Sequence, residues 1–416
     1  INYVTTGQVY QEVIRRERNL EYDGEDVEVV PDVPNEIIRR IKLAQKKNNA
    51  EITIVELGGT IGEYQVLLFL EAARIMKVNN IDDVAFVVVS YLPLPGHIGE
   101  MKTKPTQYAV RSLNAAGIWT NFIIARGVQA LDNRRREILA RVCNLQAGTV
   151  IAAPDVPSIY DVPLMFHEQK LDDKLLRLFD LKPRKNDLSK WKRFSRKIQK
   201  CTRVVRIGVV GKYFGTGDFT LADSYISVIE AAKHAAWDND AKPELVWIDS
   251  EKYEKDPRLV RELSRFDGII VPGGFGARGI DGILRAIKYV RENNIPYLGL
   301  CYGMQLATIE FARNVAGIKG AHTVEVDNQT TDPVIIVNPK QAKNIKEKNM
   351  GATMRLGAYP CTLQRTTHSY RAYKKHHISE RHRHRYEFNN EYRDALEKAG
   401  MRFAGINEKD NLVEII

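Results

Sequence analysis

The sequence predicts an α/β protein built on two open, mostly parallel sheets, and three observations carry that prediction. The chain has 416 residues, more than one hydrophobic core usually organises. Apolar strand-like runs alternate with helical patterns, the signature of parallel strands with helices on both faces. That alternation is interrupted once by a basic stretch and then restarts, which divides the chain in two.

In the first part, a helical pattern over Asn35 to Lys47 leads into an apolar strand at Ile52 to Leu57 and a helix over Gln65 to Val78. A strand at Ala85 to Ser90, a helix over Thr106 to Ala116, a strand at Asn121 to Ala125, a helix over Asn133 to Cys143 and a strand at Val150 to Ala152 follow. Residues 183–203, P-R-K-N-D-L-S-K-W-K-R-F-S-R-K-I-Q-K-C-T-R, form a basic, weakly apolar linker between domains at 1–182 and 204–416. The second rhythm opens with a strand at Val204 to Val210 and a helix over Ser224 to Ala236. Strands at Glu244 to Ile248, Gly268 to Val271 and Pro296 to Leu300 come next, with helices over Gly282 to Asn293 and Met304 to Val315.

Composition narrows the function. Apolar and charged fractions of 44% and 27% are those of an ordinary globular protein, and no apolar run is long enough to predict a transmembrane helix. No secretory leader is recognisable, and Cys143, Cys201, Cys301 and Cys361 are scattered without a paired spacing, so a reducing cytoplasm is expected. The net charge of +10 is spread out and accompanies no nucleic-acid motif; a cationic surface equally attracts nucleoside triphosphates. Five of nine histidines lie between His368 and His384, but interleaved arginines and non-standard spacing argue against a metal there.

The most informative stretch is I-P-Y-L-G-L-C-Y-G-M-Q at 296–306, an apolar strand running into a glycine-flanked cysteine and then into a helix. This is the layout of a nucleophile elbow, in which small flanks at Gly299 and Gly303 permit a sharp turn that lifts Cys301 out of the sheet. A strand earlier, P-G-G-F-G ends F-D-G-I-I-V. Gly273 and Gly274 leave backbone amides open to a substrate, so with the Tyr302 amide they make a candidate oxyanion hole. In the first half, Glu56 closes an apolar strand before a glycine turn and suits magnesium. M-K-T-K-P-T-Q groups Lys102, Thr103, Lys104, Thr106 and Gln107, cations and hydrogen-bonding side chains suited to a triphosphate.

The elbow and the glycine loop together resemble the class I glutamine amidotransferases, whose thiolate attacks a glutamine carboxamide with the help of an imidazole and a carboxylate. G-A-T-M-R-L-G-A at 351–358, E-R-H-R-H-R-Y-E-F-N at 380–389, the Glu56 and Lys102 stretches, T-T-G-Q-V-Y, E-V-V-P-D-V-P and D-V-P-S-I-Y-D-V-P-L extend the resemblance to the CTP synthase family over nearly the whole chain. It implies a P-loop-type amidoligase (synthetase) domain followed by an amidotransferase domain. The reaction implied is amination of UTP to CTP, with ATP consumed and ammonia released from L-glutamine through a Cys301 thioester. It also implies Gly274, Tyr302, Gly303, Met304 and Gln305 in the glutamine pocket, with Glu325 and Arg385 on glutamine's amino and carboxylate ends. UTP falls to residues Lys102 to Gln107, Pro105 included, and Mg2+ to Glu56. GTP as activator, CTP as feedback inhibitor and a homotetramer complete the implied picture.

Some positions depart from the family pattern. Gly62, Glu63, Tyr64 and Gln65 replace the usual G-D-I-E, Asp32 stands where histidine is common, and Ile226 where lysine is frequent. The family's phosphate loop is expected upstream of residue 1 and its catalytic His and Glu downstream of residue 416, so the chain reads as an incomplete version. G-V-V-G-K-Y at 208–213 reads as the opening strand of the second domain, and no base is assigned to His322, His368, His376, His377, His382 or His384. Two other readings stay open: an amidotransferase serving another acceptor, as in GMP synthase, and a non-catalytic nucleotide-binding homologue.

Overall fold

A computed structural model describes residues 3–97, 99–184, 187–212, 215, 216, 219, 220, 225–338 and 354–416. The chain divides into two compact units, Ile1–Arg196 and Lys197–Ile416. Ser224, Tyr213 and the first three residues of the 351–358 stretch lie outside the described residues.

The first unit begins with α1 (Thr6–Arg18), α2 (Val29–Asn48) and α3 (Tyr64–Asn79). A reciprocal capping box starts α1, with the Thr5 hydroxyl accepting from the Gln8 amide and the Gln8 side chain accepting from the Thr5 amide, both at 3.2 Å. Val9 and Val13 bury the apolar stripe of α1 against Val33 and Ile37 of α2 and Ala72 of α3. Then β1 (Val87–Tyr91), α4 (Lys104–Ala115), β2 (Phe122–Gly127), α5 (Asn133–Val142) and β3 (Val150–Pro154) alternate. The three strands pair in parallel in the order β1-β2-β3. Ile123, Val110, Leu139 and Val150 form the core beneath them.

The expected strand at Ile52 to Leu57 is not formed. These residues are irregular, and Ile54 is 93% exposed. A strand requires a neighbour for its N–H and C=O groups, and sequence hydrophobicity alone does not supply one. The described sheet ends instead at β1, whose Val87 and Val89 are exposed. Beyond β3 come the short α6 (Val162–Glu168) and α7 (Leu171–Leu178), and then α8 (Ser189–Lys200), a helix inside the stretch read as a linker. Trp191 and Phe194, one turn apart, pack on Tyr160, and the Trp191 indole donates to the Tyr160 carbonyl at 2.6 Å.

In the second unit, β4 (Arg203–Gly211), the two-residue ladder of β5 (Gly215–Thr216) and β6 (Phe219–Thr220), α9 (Ile226–Asp238), β7 (Ala241–Asp249), α10 (Glu251–Lys255), β8 (Gly268–Val271), α11 (Ile280–Glu292), β9 (Tyr297–Gly299) and α12 (Tyr302–Asn314) follow in order. A four-stranded parallel sheet, β7-β4-β8-β9, results. Residues Gly268 to Val271 are buried throughout, as a central parallel strand covered on both faces requires. Ile283 and Ile287 of α11 and Leu306 and Ile309 of α12 complete its core with Val271 and Ile248.

Sequence reading left the rest unassigned: β10 (Ala321–Thr323), β11 (Asp332–Val337), β12 (Arg355–Leu363), α13 (His368–Tyr373), β13 (His377–His384), β14 (Tyr386–Phe388), α14 (Arg393–Lys398), β15 (Gly405–Asn407) and β16 (Leu412–Ile415). They form a mixed sheet, β10-β11-β14, and an antiparallel sheet, β13-β12-β15-β16. Both expected parallel sheets are present, and these additions lie within the second unit.

Candidate active site

Cys301 sits between β9 and α12 with φ +54° and ψ −104°, a backbone region that non-glycine residues rarely adopt. Two close backbone approaches force this turn. A Cβ on Gly299 would stand 2.6 Å from the Gly303 carbonyl carbon, and one on Gly303 would stand 2.2 Å from the Val271 oxygen. Only glycine fits either place. The Leu300 amide donates to the Val271 carbonyl and the Gly303 amide to the Leu300 carbonyl, each at 2.9 Å, which closes the elbow.

The Cys301 thiol is half-buried and unbonded to another cysteine, whereas Cys143, Cys201 and Cys361 are buried. Burial pushes the Cys301 thiol up to about 11, against the Tyr302 amide, which hydrogen-bonds the sulfur and favours the thiolate. Glu387 and Glu325 raise it further, and Arg383 opposes them. Gly273 of the loop after β8 lies against this side chain: a Cβ built there would meet the Cys301 Cβ at 3.4 Å and its Sγ at 3.6 Å. The absence of a side chain at 273 is therefore what opens the space around the sulfur.

The remaining residues expected around the thiol divide by role in the structure. Gly274 lies in the same loop, partly buried, and Met304 is partly buried on the first turn of α12. Tyr302 and Gln305 are buried and make structural bonds: the Tyr302 hydroxyl donates to the Gly276 carbonyl at 3.0 Å and the Gln305 amide to the Tyr386 carbonyl at 2.9 Å. Glu325 accepts from the Gly276 amide at 2.9 Å. Its carboxyl is raised by burial, which the Gly276 hydrogen bond, Lys212 and Arg385 counteract, so an acid and the buried Arg385 cation share one neighbourhood. Sequence reading missed Lys212 and Gly276. The G-V-V-G-K-Y stretch was legible as a strand, but nothing in it announced that its lysine reaches the P-G-G-F-G loop.

In the first unit, Lys102 to Gln107 lie after β1, around the start of α4, at the carboxyl edge of the parallel strands where ligands bind in such sheets. Thr103 is the N-cap residue, and Pro105 occupies the first turn, where a missing N–H costs nothing. The Lys102 ammonium pairs with Glu100 at 2.7 Å, and Lys104 is exposed. Gln107 donates to the Thr103 hydroxyl at 3.0 Å. Thr106 is fully buried, with its hydroxyl 2.8 Å from that of Ser90, so it braces α4 on β1 and does not face solvent. Glu56 is exposed in the irregular segment 51–57, next to a glycine turn. Among the described residues, no helix is long and apolar enough to cross a membrane.

Comparison with known proteins gives a consistent result. The family model for the CTP synthase N-terminus matches residues 1–181, and that for glutamine amidotransferase class-I matches residues 220–416. The CTP synthase of Listeria monocytogenes serotype 4b is 43% identical over 414 residues, covering 99% of this chain and 76% of its own length. That of Carboxydothermus hydrogenoformans is 45% identical over 415 residues, with 99% and 76% covered, and that of Pyrococcus furiosus 44% over 408 residues, with 98% and 74%. Among solved structures, the glutaminase domain of Trypanosoma brucei CTPS with bound acivicin is 35% identical, covers 50% of this chain and 78% of its own, and superimposes with a TM-score of 0.45.

Proposed function

The chain belongs to the CTP synthase family, and from that premise we propose that it aminates UTP to CTP, consuming ATP and taking its nitrogen from glutamine at Cys301. The observation that carries this reading is the strained, glycine-bounded elbow that holds the Cys301 sulfur beside Gly273 and under the Tyr302 amide. The alternative acceptors are disfavoured by the match of residues 1–181 to the CTP synthase N-terminus.

The sulfur attacks the glutamine carboxamide carbon, forming a C–S bond. The amides of Tyr302, Gly273 and Gly274 receive the developing oxyanion, and each such donor is worth about 10²- to 10³-fold in rate. Collapse breaks the C–N bond and releases ammonia, and water then cleaves the thioester to glutamate. Because burial holds the thiol protonated, attack must be coupled to loss of its proton to a base. Glu325 and Arg385 take glutamine's amino and carboxylate ends, as an amino acid needs one anion and one cation; Gly303, Met304 and Gln305 line the pocket.

In the synthetase half, ATP phosphorylates the uracil 4-oxygen, and ammonia displaces phosphate from carbon 4. Lys102, Thr103, Lys104, Pro105 and Gln107 contact UTP, and Thr106 supports them from the core. Magnesium prefers hard oxygen ligands and retains phosphate oxygens and water, so the exposed Glu56 carboxylate fits it and would screen the triphosphate charge. GTP as activator, CTP as feedback inhibitor, a homotetramer and a cytoplasmic location rest on family membership alone.

The test is Cys301→Ala in the full-length protein, with CTP formation followed from glutamine and from ammonia. Loss of the first with retention of the second is expected; loss of both would sink the two-site scheme.

A further inference from the structure

Lys212 is the residue that follows β4, at the carboxyl edge of the second sheet, and its side chain is only 3% exposed. An ammonium so deep in the protein is costly unless it is engaged. Its Nζ donates to the Gly276 carbonyl at 2.5 Å and stands 4.8 Å from the centre of the Tyr302 ring. The same carbonyl accepts from the Tyr302 hydroxyl at 3.0 Å, while the Gly276 amide donates to Glu325 at 2.9 Å. Gly276 adopts φ +71°, and its N–H and C=O, which belong to successive peptide groups, each meet these partners. One glycine thus joins a strand end, the first residue of the nucleophile helix and the acid after β10, and it terminates the loop that begins at Gly273 beside the sulfur.

We propose that Lys212 is a positioning residue for glutamine hydrolysis, clamping the Gly276 carbonyl so that the Gly273–Gly276 loop keeps its amides toward Cys301 and its far end holds Glu325. This role rests on Cys301 being the glutaminase nucleophile. A charged donor makes a stronger clamp than a neutral one. Burial pushes the Lys212 ammonium down to about 8; Glu325 and Glu254 work against that shift, and Arg278 adds to it. As Lys212 loses its proton the clamp weakens, so glutamine hydrolysis falls on an alkaline limb near pH 8. The Cys301 thiol pulls the other way, since its ionisation increases with pH. An arginine at 212 stays charged throughout and removes the limb.

The experiment compares full-length Lys212→Met, Lys212→Arg, Tyr302→Phe and Cys301→Ala, reading kcat and KM for glutamine hydrolysis from pH 6.5 to 9.5, CTP formation from ammonia, and thermal unfolding. Lys212→Met is expected to lower kcat for glutamine ten- to a hundredfold while ammonia-dependent synthesis and the unfolding temperature hold. Lys212→Arg is expected to recover most of the rate without the alkaline limb. Tyr302→Phe, which removes the second donor to the same carbonyl, should lower kcat on its own but add less than its own effect to Lys212→Met. Glutamine hydrolysis by Lys212→Met within twofold of the parent overturns the proposal. So does a limb near pH 8 that persists in Lys212→Arg, which decides alone if the methionine variant does not fold. Hydrolysis by Cys301→Ala would instead overturn the nucleophile assignment, whereas an inactive Cys301→Ala beside unaffected Lys212 variants removes only the role of Lys212.

Discussion

Gly303 packs so closely under Val271 that a methyl group on its Cα would lie 2.2 Å from the Val271 oxygen, well inside contact distance. The nearest atom is main chain, which cannot swing aside as a side-chain tip would. Gly303→Ala is therefore expected to cost about 3 kcal/mol or more of stability and to displace α12 from β8. Urea unfolding measures it. Gly7→Ala is the control, because nothing lies within 4 Å of that added Cβ in α1, and it should be neutral or stabilise by up to about 1 kcal/mol. Equal effects of the two changes would contradict the packing argument.

The resting Cys301 thiol should be a poor nucleophile toward reagents that bring no groups of their own to activate it. With its ionisation pushed up to about 11, roughly one molecule in 10⁴ carries the thiolate at pH 7. Iodoacetamide labelling of Cys301, followed by peptide mass spectrometry, is expected to quicken about tenfold per pH unit from 7 to 10. A plateau below pH 9 would show a thiolate already stabilised. The buried Cys143, Cys201 and Cys361 serve as internal references.

A buried polar network gives the second unit a distinctive pH response. Arg355 pairs with Glu387 at 3.1 Å and with Glu414, which also accepts from His382 at 2.6 Å. His384 stands 3.8 Å from Glu387. Burial, with the neighbouring His382, pushes His384 down to about 4, so the fold favours its neutral form. That contribution, on the order of 3 kcal/mol, is complete above about 6.5 and is lost as pH falls from there through 4. His382 behaves oppositely. Burial lowers it, but the hydrogen bond and charge of Glu414, with the hydrogen bond to the Glu380 carbonyl, together outweigh burial and leave it raised, so its contribution is complete below 6.5 and is lost at higher pH. Urea midpoints between pH 6.5 and 4.5 should fall in the parent and fall less in His384→Gln. An unchanged slope would refute the assignment.

The UTP segment separates into contact and support. Thr106→Val breaks the bond to Ser90 and should cost about 1 kcal/mol of stability with the KM for UTP within about threefold. Lys102→Ala should leave stability unaffected and raise that KM about tenfold or more. A reversed pattern in unfolding and kinetics would show Thr106 to be the ligand contact.

How far the sequence disclosed all this follows from what each element buries. The parallel strands were legible because both faces are covered: Gly268 to Val271 and Val150 to Ala153 are apolar runs that turned out fully buried. Residues 52–57 have the same apolar character without a neighbouring strand among the described residues, and hydrophobicity does not distinguish the two cases. The strand at 377–384 was hidden for the converse reason. H-I-S-E-R-H-R-H reads as a polar run, because part of what it turns inward is imidazole matched to acids, Glu414 on the distant β16 and Glu387 on the strand that follows at once. The first helix could have been found: Thr5 and Gln8 carry the spacing of a capping box. At the thiol, local motif reading reached the elbow and the glycine loop, since both are written in adjacent residues. It did not reach Lys212, whose partner lies 64 positions away.

The elbow is shaped by main chain meeting main chain at positions 299, 303 and 271. Address and payload are thereby separate. Whatever small side chain occupies 301 inherits the same aim, so chemistry at this spot can be exchanged, for instance thiol for hydroxyl, without redrawing the scaffold, whereas a drift at either flanking glycine erases the aim and leaves the chemistry intact but misdirected.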